Sequence, residues 1–222
     1  MALLVVLSAM PMLPGPRWIK ELFARAVRST KPVPNFQWTE ITGTGCVLGT
    51  VPCSDEHLSC LYDEGVRAVV SLNQGWEPQA PGGMAAACDR VGINHLSLPT
   101  PDYTSPSQRD IRRAVDFITA ETAKGGSVYV HCNAGRGRSA VCVLAFLIES
   151  RGYSAEQAYE FVAAMRRITK LPSRLWGLPR PQWQALLRFE REQQAAADRV
   201  DPSPLMDDDE KVDASPLKDD DE

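Results

Sequence analysis

A cysteine and an arginine close together carry the clearest chemistry in this 222-residue chain. Cys132 and Arg138 are separated by five residues, in the run 131–139 that reads His-Cys-Asn-Ala-Gly-Arg-Gly-Arg-Ser. A cysteine thiolate is a strong nucleophile, and the planar fork of an arginine can hold two phosphoryl oxygens at once. Ser139 adds a hydroxyl beside them. These residue types indicate attack on a phosphoryl group.

The segments on either side of this run explain how it would bind an anion. Residues 127–131 have the pattern of a β-strand, and residues 140–149 have that of a helix. A glycine-rich turn between a strand and a helix directs successive backbone N–H groups into one hollow, which suits phosphate. The same field favours a thiolate at Cys132. Gly135 and Gly137 are predicted to supply positive φ angles and close backbone approach.

This run resembles the signature of the cysteine-dependent phosphatases, in which His-Cys is followed by five residues and Arg-Ser. The resemblance implies that Cys132 attacks phosphorus in line, Arg138 binds the equatorial oxygens, and Ser139 helps release the thiolate. The alternative is a buried cysteine that only fills space, and sulfurtransferases share the Cys-to-Arg spacing. The other loop residues are predicted to bind substrate or to organise the loop: His131, Asn133, Ala134, Gly135, Arg136 and Gly137.

A phosphocysteine mechanism also needs a carboxyl group. It protonates the leaving oxygen and then accepts a proton from the water that hydrolyses the intermediate. In this family the group comes from a loop upstream of the nucleophile, and Asp102 lies thirty residues before Cys132 between a predicted strand and helix. The alternative role for Asp102 is that of a turn or cap residue. Asp110 and Asp116 fall inside the predicted helix.

Strands and helices alternate along the chain, which predicts an α/β fold with a mostly parallel central sheet flanked by helices. This agrees with the cysteine-phosphatase fold that the resemblance implies, with the phosphate-binding loop between a strand and a helix. Capping boxes are predicted to open helices at Ser105 and Ser154. The predicted strands are 46–49, 66–72, 93–98 and 127–131, and the predicted helices are 54–64, 83–90, 106–124, 140–149, 154–168 and 181–194.

Charge divides the chain into three predicted parts: an N-terminal targeting or membrane-surface segment with its linker (1–34), a catalytic domain (35–196) and an acidic disordered tail (197–222). The whole chain has a net charge of −4, but residues 201–222 alone contribute −8, which leaves +4 for the rest. This mild positive charge of residues 1–200 fits an anionic substrate and is too weak to indicate nucleic acid.

The N-terminal segment permits two interpretations. Residues 2–13 are apolar but too short to span a bilayer. Residues 17–31 carry five basic side chains and one acid, Glu21, above an apolar helical face. This pattern is typical of an organelle-targeting or membrane-surface helix. A cationic helix that lies on the domain is the open alternative.

The tail and the cysteines indicate less. Residues 203–210 recur imperfectly as 215–222, and this acidic composition cannot bury a core, so disorder is expected. The six cysteines have neither zinc-site spacing nor the density of a disulfide scaffold, which favours a reducing compartment. Whether another cysteine protects Cys132 stays open. No metal or cofactor is expected, because Arg138 and the loop amides would neutralise the developing charge.

Over residues 43–192 the chain resembles the mitochondrial dual-specificity phosphatases that act on phosphatidylglycerophosphate. Asn133 departs from the lysine common there after the nucleophile. The implied function is hydrolysis of a lipid phosphomonoester at a mitochondrial membrane; the alternatives are a protein phosphatase, a non-catalytic phosphate-binding module, and a cytoplasmic or plastid location. The resemblance rests on residues 65–73, Trp76, Glu77, 96–102, 127–148 and 153–159.

Overall fold

The structure is a computed structural model. The predicted disorder of residues 201–222 and most of the predicted N-terminal segment lie outside the part that it describes. The described residues are 16, 18, 19, 21, 22, 25, 35–175 and 178–200.

A five-stranded sheet forms the centre of the domain, in the order β1-β2-β5-β3-β4. Strand β1 is antiparallel to β2, and all other neighbours are parallel, which confirms the predicted mostly parallel sheet. Parallel sheets are covered on both faces, and the valine-rich strand β3 is buried accordingly. The strands are β1 (Trp38–Ile41), β2 (Cys46–Gly49), β3 (Val66–Ser71), β4 (Asn94–Ser97) and β5 (Ser127–His131).

Helices cover both faces of this sheet. Two pack on one face, α1 (Asp55–Asp63) and α2 (Met84–Val91), around a core that includes Tyr129. The other face carries the larger core, which includes Val128 and Val130. Alternate residues of a strand point to opposite faces, so β5 serves both cores. The helices of the larger core are α3 (Gln108–Thr122), α4 (Arg138–Arg151), α5 (Ala155–Met165) and α6 (Pro181–Val200), and a short hairpin, β6 (Arg174–Leu175) and β7 (Leu178–Pro179), precedes α6.

Helix α4 is the central helix of the larger layer. Every residue from Arg138 to Ile148 is buried. A helix that is apolar on all sides must be enclosed by other elements, and α3, α5 and α6 pack around this one. Its N-terminus therefore occupies a fixed position at the end of β5.

Several predicted boundaries are wrong. Helix α4 runs from Arg138 to Arg151 and not over the predicted 140–149. Helix α3 is capped by Ser107, whose hydroxyl accepts the Asp110 N–H at 3.1 Å, so the predicted cap at Ser105 is two residues early. Helix α5 ends at Met165, because Arg166 is extended (φ −139°, ψ 136°) and turns towards the phosphate loop. Helix α6 continues to Val200, so the predicted domain boundary at residue 196 lies inside a helix. The capping box of Ser154 is confirmed.

The loops that follow β5, β3 and β4 lie together at one edge of the sheet. Gly49 and Ser71 each pair in register with His131, and Ser71 pairs with Ser97 on its other side. The carboxyl ends of β2, β5, β3 and β4 therefore lie side by side. Ligands of open α/β sheets bind outside these ends.

Candidate active site

The loop from Cys132 to Arg138 joins β5 to α4 at this edge. Gly135 has a φ of +62°, and a Cβ atom added to it would lie 2.3 Å from the carbonyl oxygen of Gly49. The close approach of the loop to β2 therefore requires glycine there. The prediction of a positive φ at Gly137 is wrong: its φ is −123°, because this residue is the N-cap of α4.

Cys132 lies at the start of this loop with 3% of its surface exposed. The Ser139 hydroxyl donates a hydrogen bond to the Cys132 sulfur at 3.2 Å. Burial by itself raises the pKa of the Cys132 thiol, but the positive charge of Arg138 and the hydrogen bonds from Ser139 outweigh it, so the net pKa is lowered. The loop thus favours a thiolate in a buried position.

Arg138 is buried and held by a carboxylate that the sequence analysis did not assign. Its Nη1 and Nη2 atoms donate to the two carboxylate oxygens of Glu77 at 2.7 and 2.8 Å, and Nη1 also donates to the carbonyl of Thr100 at 2.8 Å. Burial opposes the charge of Arg138, but Asp102, Glu77 and Cys132 outweigh it and raise its pKa. The buried Nε–H has no acceptor among the described residues and is available to a ligand oxygen.

Glu77 is itself fixed by the loop that follows β3. The Gln74 N–H donates to one Glu77 oxygen at 2.8 Å, and the Glu77 N–H donates back to the Gln74 carbonyl at 2.9 Å. Hydrogen bonds from neighbouring groups stabilise this buried ion pair, and the Arg138 Nε–H is the polar atom of the pair that has no acceptor among the described residues. Glu77 contributed only to the family resemblance in the sequence. Its position just beyond a buried strand was the local signal for a role in the site.

Asp102 lies in the loop after β4, beside the same arginine. Its Oδ1 atom is 3.2 Å from Arg138 Nη2, and its side chain is 21% exposed. The next residue, Tyr103, has a φ of 63°, an uncommon conformation for a non-glycine residue that often marks functional loops. Gln182 of α6 donates to the Thr104 carbonyl at 2.9 Å and fixes the loop.

The other two acids that the sequence analysis considered have different partners. The Asp110 carboxylate accepts from the Ser107 hydroxyl at 2.7 Å, at the start of α3. Asp116 faces Arg112 at 3.7 Å on the surface of α3. Asp102 is therefore the acid of the three that the fold brings to the phosphate loop.

His131 connects Cys132 to a hydrogen-bond network behind the loop. Its Nε2 atom lies 2.7 Å from the Ser71 hydroxyl, which also lies 2.9 Å from His95 Nε2. Complete burial lowers the pKa of His131 to about 3. A neutral, buried imidazole fits the predicted role as an organiser of the loop.

The remaining loop residues are fixed mainly through their backbone. The Asn133 carbonyl accepts from Val51 N–H at 3.3 Å, and the Asn133 side chain is only 5% exposed. Ala134 is half-buried, and Arg136 is exposed. Arg166, which no sequence pattern indicated, donates its Nε–H to the Gly135 carbonyl at 3.2 Å and so holds the loop from the end of α5.

Comparison with known proteins agrees with this geometry. Residues 52–190 match the family described as "Dual specificity phosphatase, catalytic domain". The chain is 34% identical over 142 residues to phosphatidylglycerophosphate phosphatase PTPMT1 of Arabidopsis thaliana, a match that covers 64% of this chain and 41% of that protein. It is 36% identical over 131 residues to phosphatidylglycerophosphatase and protein-tyrosine phosphatase 1 of Rattus norvegicus, covering 58% of this chain and 68% of that protein.

A solved structure shares the fold. The crystal structure of PTPMT1 in complex with PI(5)P has a TM-score of 0.63 at 30% identity, and the match covers 72% of this chain and 98% of that one. The matched region spans 41% and 60% of the two Arabidopsis thaliana phosphatases of this type. The predicted α/β phosphatase fold and the predicted resemblance are confirmed.

Proposed function

The chain belongs to the dual-specificity phosphatase catalytic-domain family, and on that premise we propose that it hydrolyses phosphomonoesters through a phosphocysteine intermediate. One observation carries the proposal: a buried thiol with a lowered pKa, a buried arginine and a partly exposed carboxylate converge at one sheet edge, at Cys132, Arg138 and Asp102. A non-catalytic phosphate-binding module would not need all three groups.

In the first step the Cys132 thiolate attacks phosphorus. A sulfur–phosphorus bond forms while the bond from phosphorus to the leaving oxygen breaks, and protonated Asp102 gives that oxygen its proton. The Arg138 Nε–H and the loop amides bind the non-bridging oxygens. Since Asp102 pairs with Arg138 Nη2 at 3.2 Å, an arriving phosphoryl oxygen competes for this arginine and frees the carboxyl group to meet the leaving oxygen.

In the second step water attacks the phosphocysteine. Asp102, now ionised, takes a proton from the water as the new oxygen–phosphorus bond forms and the sulfur–phosphorus bond breaks. The Ser139 hydroxyl, 3.2 Å from the sulfur, donates to the departing thiolate and stabilises its charge. Inorganic phosphate and the original thiolate result.

Glu77 has a positioning role in this proposal. Its two hydrogen bonds to Arg138 occupy both terminal nitrogens and fix the plane of the guanidinium group. The buried Nε–H is then held in one direction before substrate binds. Preorganised donors of this kind stabilise a transition state without a further cost of reorientation.

The substrate that we propose is a phospholipid, phosphatidylglycerophosphate. Two observations support a lipid. The relatives compared above include phosphatidylglycerophosphate phosphatases. Residues 18, 19, 21, 22 and 25 are helical, and two large apolar side chains among them are exposed, Trp18 by 65% and Leu22 by 63%.

This N-terminal helix is attached to the wall of the active site. Glu21 accepts a hydrogen bond from the Gln74 side chain, and the Arg25 guanidinium lies 5.3 Å from the centre of the Trp76 ring. Gln74 and Trp76 belong to the loop that carries Glu77. Exposed tryptophan and leucine near a basic residue, Arg25, favour contact with an anionic bilayer, which would place the phosphate loop near lipid headgroups. No helix among the described residues is both long and apolar enough to cross a membrane.

The substrate proposal is tested with the purified full chain. Phosphate release is measured from phosphatidylglycerophosphate in vesicles, from PI(5)P in vesicles and from a phosphotyrosine peptide. We expect the highest kcat/KM for phosphatidylglycerophosphate and a loss of vesicle activity, with peptide activity retained, in Trp18→Ala/Leu22→Ala. A higher kcat/KM for the peptide would make the protein a protein phosphatase and would overturn the lipid assignment.

We propose a mitochondrial location on the basis of residues 17–31, which carry five basic side chains and one acid. A fluorescent reporter fused after residue 222 tests this, with a matched fusion that lacks residues 1–34. Mitochondrial signal that depends on residues 1–34 is the expected result. A cytoplasmic or plastid signal for both fusions would contradict it.

A further inference from the structure

An open pocket of about 570 Å³ adjoins the phosphate loop. It lies between Arg136 of the loop, the end of α5 and the segment that leads to α6. None of the residues that line it is acidic, and the basic ones are Arg136, Arg166, Arg167, Lys170 and Arg180. Such a concentration of positive charge raises the local concentration of anions.

Most of these cations are not neutralised within the part of the chain that the structure describes. Some exposed arginines elsewhere face carboxylates, as Arg90 faces Asp55 at 2.6 Å and Arg188 faces Glu192 at 2.8 Å. Arg136, Arg167 and Lys170 are exposed, and no described carboxylate forms an ion pair with them. Like charges gathered in one place repel each other, so an anionic ligand would relieve this repulsion.

The pocket is fixed to the phosphate loop by direct contacts. The Thr169 N–H donates to the Arg136 carbonyl at 2.9 Å, and a Cβ atom added to Gly137 would lie 3.7 Å from the Thr169 hydroxyl. Arg166 spans from Gly135 to the Thr39 hydroxyl, at 3.2 and 3.1 Å. An anion in the pocket would therefore lie beside the phosphate loop.

We propose that this pocket binds the second phosphate of a substrate that carries two. This inference rests on the proposed function. The ligand is a glycerol whose terminal phosphomonoester lies at Cys132 and whose phosphodiester lies in the pocket. The acyl chains would extend beyond the phosphodiester. Asn133 is 5% exposed and brings no cation to the loop. Arg167 and Lys170 supply that charge from the neighbouring segment.

The test uses two water-soluble compounds, so that membrane binding has no influence. One is the deacylated headgroup, which carries a phosphomonoester and a phosphodiester; the other is glycerol 3-phosphate, which lacks the phosphodiester. The readout is the ratio of their kcat/KM values. We expect Arg167→Ala/Lys170→Ala to lower this ratio about tenfold, mostly through KM, because charge-assisted hydrogen bonds to the phosphodiester are lost.

The matched control is Arg191→Ala/Arg199→Ala, which removes two exposed arginines from α6, and it should keep the ratio of the full chain. An unchanged ratio in Arg167→Ala/Lys170→Ala, or an equal fall in the control, would overturn the inference. If Arg167→Ala/Lys170→Ala lowers kcat/KM more for a doubly phosphorylated peptide than for the headgroup, the ligand is a phosphoprotein and the lipid assignment of the pocket is wrong.

Binding to Cys132→Ser separates this inference from the proposed function. Calorimetry with the two compounds should show tighter binding of the headgroup, and this preference should disappear when Arg167→Ala/Lys170→Ala is added. Equal affinity for the two compounds would refute the pocket even if the wild-type chain hydrolyses the lipid. Tighter binding of the headgroup to Cys132→Ser, together with no hydrolysis of the lipid by the wild-type chain, would support the pocket and reject the proposed substrate.

Discussion

Two buried thiols, one in the phosphate loop and one in the helix behind it, have pKa values that are shifted in opposite directions. Cys132 is 3% exposed and Cys142 is fully buried. Burial raises the pKa of Cys142, and its sulfur lies 3.9 Å from the Arg138 carbonyl oxygen. The pKa of Cys132 is lowered because Arg138 and Ser139 outweigh the same effect of burial. Directed charge and hydrogen bonds, and not exposure, therefore distinguish the nucleophile from the core residue.

Replacing the nucleophile tests the comparison most severely. Cys132→Ser should lower kcat by more than about 10⁴-fold, because a serine hydroxyl is not ionised at neutral pH. Phosphate should still bind, since Arg138 and the loop amides stay in place. Calorimetry with inorganic phosphate and a steady-state assay measure the two quantities. Retained turnover would show that covalent catalysis does not use this thiol.

Arg138→Lys keeps the charge and removes the fork. Lysine cannot reproduce the two hydrogen bonds that Arg138 makes to Glu77, so the side chain loses its fixed direction. We expect kcat/KM to fall by about 10²- to 10³-fold on any phosphomonoester. Circular dichroism shows whether the variant folds. A folded variant with near-normal kcat/KM would mean that charge alone is sufficient.

The carboxyl group is tested by Asp102→Asn. Loss of the proton donor should lower kcat/KM, which covers the first step and not the second, by about 10²-fold on an alkyl phosphate. An aryl phosphate with a good leaving group should lose less in the first step, because its leaving oxygen needs no proton. Asp116→Asn, on the surface of α3, is the control. Equal losses on the two substrates would point to another acid.

Ser139→Ala removes one of the hydrogen bonds that lower the pKa of Cys132. Without the hydroxyl the pKa of Cys132 should rise, so less thiolate is present at neutral pH and the acidic limb of the rate profile should move to higher pH. We expect a loss of about tenfold in kcat near neutral pH. Ser150→Ala on the same helix, whose hydroxyl bonds the Phe146 carbonyl at 2.7 Å, should leave the profile unchanged.

The smallest effect on activity is expected at the second thiol. Cys142→Ala removes a buried sulfur and should lower the free energy of unfolding by about 1 to 2 kcal/mol through the cavity it leaves. Activity per folded molecule should not change. Thermal unfolding and the steady-state assay measure these quantities. A large loss of kcat with normal folding would show that the two thiols are coupled.

Local signals were enough to predict most of the fold. The alternation of strands and helices, the capping box at Ser154 and the glycine-rich turn after β5 are all short-range patterns, and the structure has each of them. Boundaries set by distant contacts were missed. Helix α5 ends early because Arg166 bonds to Gly135, and no pattern within residues 154–168 announces that contact.

The residues of the site likewise divide into those with a local sequence signal and those placed by distant contacts. Cys132, Arg138 and Ser139 could be predicted because they lie within one loop. Asp102 could be placed because the loop after a parallel strand faces the same sheet edge. Glu77 was assigned no role, since its pairing with Arg138 spans 61 positions and depends on the order of β3 and β5 in the sheet.

The most direct test of this account is the pH dependence of thiol alkylation, followed separately for Cys132 and Cys142 by mass spectrometry of the native full chain. We expect Cys132 to react with a midpoint pH below the value of about 8.5 typical of a free cysteine, while Cys142 stays unreacted throughout. A Cys132 midpoint at or above that of a free cysteine would contradict the central claim that the phosphate loop holds a thiolate.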